Sequence, residues 1–157
     1  VIECWVNKTI GLSRSKLRVI KPKYWFSLHN VYKFTFDLVR LLSLKKSYAY
    51  IKIITHKDIE SVDMLIRNLI PDFQKISIIS LPEIGIDVSK LKYLKDHCKL
   101  KNFLFIDDST ITVKEISMEF PESMIYLPDW GYNDTNSKFL VNKKEMIKVI
   151  ENFIDED

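Results

Sequence analysis

Phe103-Leu104-Phe105-Ile106-Asp107-Asp108-Ser109 runs four apolar residues straight into two adjacent carboxylates and a hydroxyl. An apolar run of this length, closed by polar residues, reads as a buried strand of a parallel sheet. Open α/β sheets bind their ligands at the carboxyl ends of the strands. Asp107 and Asp108 therefore stand where chemistry is expected. Paired hard oxygen ligands beside a phosphate suit Mg²⁺, which takes one or two carboxylates and leaves its other positions to water and substrate. The same residues also suit a plainer task, because Asp-Ser is a good cap for the helical pattern from Thr110 to Phe120.

On both sides of this stretch, strand and helix patterns alternate. Val1 to Val6 reads as a short strand, and a polar, basic stretch follows to about Tyr24. Ser27 can cap a helix to about Leu44, with Leu28, Val31, Leu38, Leu41 and Leu42 among its apolar positions. Tyr48 to Ile54 is β-branched and aromatic, hence a strand. Asp58 opens a helix with Val62, Leu65, Ile66 and Leu69 at helical spacing, and Pro71 ends it. Ile76 to Leu81 is a third strand, and Asp87 or Ser89 starts a helix that aligns Leu91, Leu94 and Cys98. After the Phe103 strand come a helix from about Thr112 to Phe120 and a fifth strand from Met124 to Leu127. Asn142 with Glu145 resembles a capping box for a last helix whose stripe is Met146, Ile147, Ile150, Phe153 and Ile154. This order predicts a three-layer α/β fold: a mostly parallel, five-stranded sheet with helices on both faces and right-handed crossovers. No repeat or linker divides residues 1–157, so one domain is expected.

Composition agrees with that class. The chain has 157 residues, 46% of them apolar, and only three glycines, so a real core is expected. No run approaches the ~18 apolar residues of a membrane helix, and no secretory signal is legible among the first residues, where Glu3, Asn7 and Lys8 interrupt. Cys4 in a predicted strand and Cys98 in a predicted helix read as reduced thiols, which fits a cytoplasmic location. A formal charge of +3 is too small to imply nucleic-acid binding by itself.

The strand ends carry a resemblance. Thr55 closes the second predicted strand, the lysines Lys90, Lys92 and Lys95 precede the fourth, and Asp107-Asp108 follows it. This arrangement resembles the haloacid dehalogenase superfamily, largely phosphatases, over nearly the whole chain. In that family the first strand ends in Asp-x-Asp-x-Thr, the second in Thr or Ser, and an acidic pair follows the fourth. The resemblance implies that Thr9, Thr55 and Lys90 hold phosphoryl oxygens, and that Asp107 and Asp108 hold Mg²⁺. Lys92 competes with Lys90 for its role. The first motif departs from the pattern. In Trp5-Val6-Asn7-Lys8-Thr9, Trp5 stands at the nucleophile and Asn7 at the general acid/base. An indole cannot attack phosphorus, and an amide cannot transfer protons as a carboxyl does. No catalytic residue is therefore assigned, and Mg²⁺, short of one ligand, is expected to bind weakly.

The resemblance also implies a site without a large cap domain, since only residues 10–27 intervene after the first strand. This flap carries Arg14, Lys16, Arg18, Lys21 and Lys23 with no acid among them, followed by Tyr24, Trp25 and Phe26. Arg14, Lys16 and Arg18 alternate, so a strand would align them for phosphate contacts, with aromatics for base stacking. A solvated hairpin anchored by its aromatics is the plainer alternative. After the fifth strand, Trp130 and Tyr132 can line a ligand edge. The proline-aromatic-Asn character of the stretch Leu127 to Asp134 is similar to the deoxyribonucleotidase branch of the superfamily, although Gly131 stands where that branch often has proline. His56, beside Thr55, is the one histidine near the expected site. The implied function is a non-catalytic or very weak phosphatase-like domain that binds a phosphate-bearing ligand or macromolecule, or regulates. The alternatives are an active Mg²⁺-dependent phosphohydrolase, nucleotidase-like or acting on nucleic-acid ends, and a nucleic-acid-binding module built on the flap.

Overall fold

Helix starts are set by short polar side chains that satisfy otherwise unpaired N–H groups. The Asp58 carboxylate accepts from the N–H and hydroxyl of Ser61 at 2.9 and 2.7 Å. Ser89 Oγ accepts the Lys92 N–H at 3.1 Å. Ser109 Oγ accepts the Thr112 N–H at 3.3 Å. A computed structural model describes residues 16–29, 37–38, 41, 51–69, 77–85, 87–99, 102–130 and 136–155. Among them the order is α1 (Pro22–Ser27), β1 (Lys52–Thr55), α2 (Ile59–Leu69), β2 (Ser77–Ser80), α3 (Leu81–Ile84), α4 (Lys90–His97), β3 (Leu104–Ile106), α5 (Thr110–Glu119), β4 (Met124–Pro128), β5 (Leu140–Val141) and α6 (Lys143–Asp155).

All strand pairing described is parallel. β1 pairs with β2, with Thr55 opposite Ser80. β3 pairs with β4, and β4 with β5. The described strands therefore form a two-stranded and a three-stranded sheet, where one five-stranded sheet was expected. The expected first strand, Val1 to Val6, lies outside the described residues. β5 is a strand that sequence reasoning missed. It is held by the Leu127 N–H to the Phe139 carbonyl at 2.8 Å and the Asp129 N–H to the Val141 carbonyl at 3.0 Å, and two residues are too few to show a period.

Alternation along the strands places helices on both faces. Phe105, Ile125 and Leu127 pack with Leu94 of α4 and with Val113 and Ile116 of α5. Leu104, Ile106 and Tyr126 point the other way, to Met146 and Ile150 of α6 and to Leu41. Val62 and Ile66 of α2 cover Ile53 and Ile78 of the smaller sheet. Ile54 of β1 joins the α4–α5 cluster, while Leu38 and Ile154 belong to both remaining clusters. The two sheets thus share one layered core. No helix among the described residues is long and apolar enough to cross a membrane.

Two sequence expectations are corrected near the N-terminus. Ser27 does not cap a long helix; it is the last residue of α1, and its hydroxyl donates to the Tyr24 carbonyl at 2.8 Å. Pro22 starts that short helix, with its fixed φ at the first turn and no N–H to satisfy. Residues 16–20 are helical, not extended. The Lys21 N–H closes on the Leu17 carbonyl at 2.8 Å. At 3.6 residues per turn, Lys16 and Arg18 fall on opposite sides rather than on one face.

Candidate functional site

β3 ends at Ile106, so Asp107 emerges at the carboxyl edge of the sheet. Its backbone N–H continues the ladder to the Tyr126 carbonyl at 3.3 Å. Its carboxylate is nearly buried, with 5% of the side chain exposed, and both oxygens are engaged. Oδ1 accepts the Ser109 N–H at 3.0 Å, a local turn typical of aspartate. Oδ2 is bonded by the ammonium of Lys90, the first residue of α4. Lys90 is itself 18% exposed. An ammonium set against a nearly buried carboxylate is costly to remove, because the carboxylate would lose its partner.

Beside this pair lies the end of β1. Thr55 Oγ1 accepts the Lys57 N–H at 3.1 Å. The Ser80 hydroxyl, at the end of β2, donates to the Lys57 carbonyl at 3.0 Å. Residues 56 and 57 are thereby tied between the two strand ends. His56 sits in this turn. Partial burial and the positive charge of Lys90 both lower its pKa below the usual histidine value, against the opposing charge of Asp107. The imidazole is therefore neutral at pH 7 and can accept or donate a hydrogen bond.

His56 also borders a cleft of about 450 Å³ whose other walls include Leu81, Pro82, Asp87, Val88 and Ser89. The cleft lies between the turn after β1 and the segment that joins β2 to α4. Sequence reasoning missed this wall. The short helix α3 and the left-handed backbone of Asp87, at φ 64°, carry no periodic signal.

The structure brings some of the expected residues together and leaves others apart. Lys90 and Asp107 touch, and Thr55 ends β1 of the other sheet, one residue before His56. Asp108 is exposed. Lys92 belongs to an exposed ion pair with Asp96 at 3.2 Å on the surface of α4. Trp130 packs in the α6 cluster with the Lys143 ammonium 5.4 Å from its ring centroid, so it is a packing residue more than a ligand edge. Arg18 is turned inward, 13% exposed, and paired with Glu60 at 2.6 Å and Asp58 at 3.4 Å. Lys16 is exposed. Trp5, Asn7, Thr9, Arg14 and Tyr132 lie outside the described residues.

The donor set can be tested against Mg²⁺. Such an ion wants hard oxygens in octahedral order. Here it would have to displace the Lys90 ammonium from Asp107, leaving Asp108 as the one carboxylate of the pair without a partner among the described residues. No group of three or more metal-ligating side chains is assembled among those residues. As arranged, Asp107 is engaged by Lys90 and Ser109, and Asp108 is the exposed carboxylate of the two. What the described residues offer is an ammonium, a neutral imidazole and a threonine hydroxyl along the carboxyl edge of parallel strands, a set suited to hydrogen-bonding an oxyanion. Compared with protein-family models, with curated proteins and with solved structures, the chain matches none.

Proposed function

We propose that this chain is a capless, haloacid-dehalogenase-like domain that binds a phosphate-bearing ligand and has lost the family's standard catalysis. The observation that carries the reading is Lys90. It is held by a buried carboxylate at the end of β3, beside a cleft and within electrostatic reach of His56. A lysine has three N–H donors, and one contact to Asp107 leaves two for a ligand. The loss of catalysis rests on Trp5 and Asn7, which stand where the resemblance asks for the nucleophile and the acid/base. Losing a covalent nucleophile typically lowers the rate by several orders of magnitude.

Titration with inorganic phosphate, with and without Mg²⁺, tests the binding. Saturable binding that Lys90→Gln abolishes is expected. Glutamine is chosen because it still donates a hydrogen bond to Asp107. No saturable binding, or binding indifferent to Lys90→Gln, overturns the reading. Turnover of phosphomonoesters tests the lost chemistry: silence from the natural sequence is expected, with activity gained by Trp5→Asp/Asn7→Asp. Turnover by the natural sequence that Asp108→Asn abolishes would instead mark a working phosphohydrolase.

A second reading has its own observation. Lys16, Lys21, Lys23 and Tyr24 are exposed, and residues 16–29 contain no acid. Such a surface can follow a single-stranded nucleic acid, with Tyr24 as a stacking face. Binding of a short oligonucleotide should then fall steeply with salt, and the triple lysine-to-alanine variant should lose it.

A further inference from the structure

The surface carried by residues 16–29 has a composition that a merely solvated face does not need. Val19 is 75% exposed, Ile20 72%, Tyr24 56% and Leu28 55%. Half of the large apolar side chains exposed among the described residues thus fall between Val19 and Leu28. Single exposed apolar residues are ordinary, but a group of them marks a contact surface. Lys16, Lys21 and Lys23 are exposed among them, and no acid interrupts residues 16–29.

The inward side of the same segment is anchored. Trp25 is 4% exposed, and Arg18 is turned in to Glu60 and Asp58 at the start of α2. The body therefore holds the outward side chains in place. Their charge narrows the choice of occupant. A second copy of the chain would set lysines against lysines. A single-stranded nucleic acid would use the lysines and Tyr24, but it stacks on aromatic rings and leaves Val19, Ile20 and Leu28 without a role. A bilayer with anionic headgroups uses both kinds of residue, since such binding scales with the apolar area inserted and with the attraction of basic side chains.

We infer that residues 16–28 dock this domain on an anionic lipid surface. Val19, Ile20 and Leu28 enter the boundary between headgroups and acyl chains, Tyr24 sits at headgroup level, and Lys16, Lys21 and Lys23 meet the anionic headgroups. The segment lies on the bilayer and does not cross it, in keeping with the absence of a spanning helix among the described residues. The inference is independent of the reading of Lys90, and it competes with the nucleic-acid reading for the same lysines.

Sedimentation of the whole chain with lipid vesicles tests this. Vesicles of equal parts phosphatidylcholine and phosphatidylserine should carry the protein down, and vesicles of phosphatidylcholine alone should leave it in solution. Added salt should weaken the binding. Lys16→Ala/Lys21→Ala/Lys23→Ala should weaken it about a hundredfold, the scale of three lysines near a charged bilayer. Val19→Ser/Ile20→Ser/Leu28→Ser should weaken it by about tenfold or more, because apolar side chains no longer enter the boundary. Both variants change only exposed side chains, and thermal melting checks that each is folded. A short oligonucleotide run in parallel separates the rival reading. If it binds, is lost with the lysines and ignores the aliphatic variant while vesicles do not bind, the inference is overturned and the nucleic-acid reading stands. Vesicle binding that ignores the aliphatic variant, or that is equal on both compositions, overturns it as well. Self-association that the aliphatic variant abolishes, without vesicle binding, would make this face a contact between copies and overturn it too.

Discussion

Lys90 and His56 sense one another through charge, and that coupling can be measured directly. Partial burial and the Lys90 ammonium hold the His56 pKa below its usual ~6.5. Proton NMR titration should show the His56 ring titrating below that value. Lys90→Gln should move its midpoint upward, because the repelling charge goes and Asp107 remains. A midpoint unmoved by Lys90→Gln would mean that the two groups do not share a site. Asp58 offers a second titration with the opposite chemistry. Burial pushes its carboxyl up, but the hydroxyl and N–H of Ser61 and the charge of Arg18 outweigh it and hold the pKa below the ordinary value. A carboxylate with a lowered folded pKa binds fewer protons folded than unfolded. Its contribution is therefore full above the unfolded value of ~3.9 and is lost as pH falls through the folded one. Denaturant unfolding of Asp58→Ala should show a loss of about 1 kcal/mol at pH 7, typical of a helix cap. That deficit should shrink as pH falls below ~4, and a deficit independent of pH would mean that the charge contributes nothing.

Caps were the most legible elements of the chain, because a cap is a local rule written in two or three residues. The Asn142 side-chain oxygen accepts the N–H of Lys144 at 3.0 Å and of Glu145 at 3.1 Å, and Glu145 reaches back to the Asn142 N–H at 3.2 Å. This is the reciprocal box that the Asn142 to Glu145 spacing anticipates. Asn142→Ala should lower stability by about 1 kcal/mol, measured by urea unfolding, and Asn142→Asp should largely preserve it. An alanine variant as stable as the parent would show that α6 is held by packing alone. The buried stripe was equally readable: Met146 and Ile150 are in the core, as their spacing requires. Features decided by distant partners were not readable. Ser27 has the chemistry of a cap, yet Pro22, five residues upstream, begins a helix that has already enclosed it. Arg18 read as part of a basic stripe, but its helical turn directs it to Asp58 and Glu60, 40 and 42 positions later. At the candidate site, Lys90 and Asp107 were legible because strand ends are. The cleft wall of α3 and Asp87 was not, because a four-residue helix and a single left-handed residue leave no pattern.

The two sheets have separate hydrogen-bond ladders but not separate interiors. Ile54 leaves the smaller sheet to pack with Phe105, Val113 and Ile116 beneath the larger one. Leu38 and Ile154 touch both the α2 cluster and the α6 cluster. A chain of this size, with apolar residues shared in that way, should unfold as a unit. The site depends on this unity, since His56 comes from the smaller sheet's edge while Asp107 comes from the larger one's. Substitutions at either end of the molecule should then lower one and the same transition. Leu127→Ala removes a fully buried side chain from the centre of the larger sheet, and Ile66→Ala removes a buried one from the helix over the smaller. Each should cost about 2–5 kcal/mol. Differential scanning calorimetry of both variants should show a single peak displaced to lower temperature, with calorimetric and van't Hoff enthalpies in agreement. If Ile66→Ala instead split off an early transition and left a second peak at the parent temperature, the sheets would be independent units. His56 would then be positioned against Lys90 and Asp107 only while the smaller sheet remained docked, and phosphate binding should vanish with the first transition rather than the second.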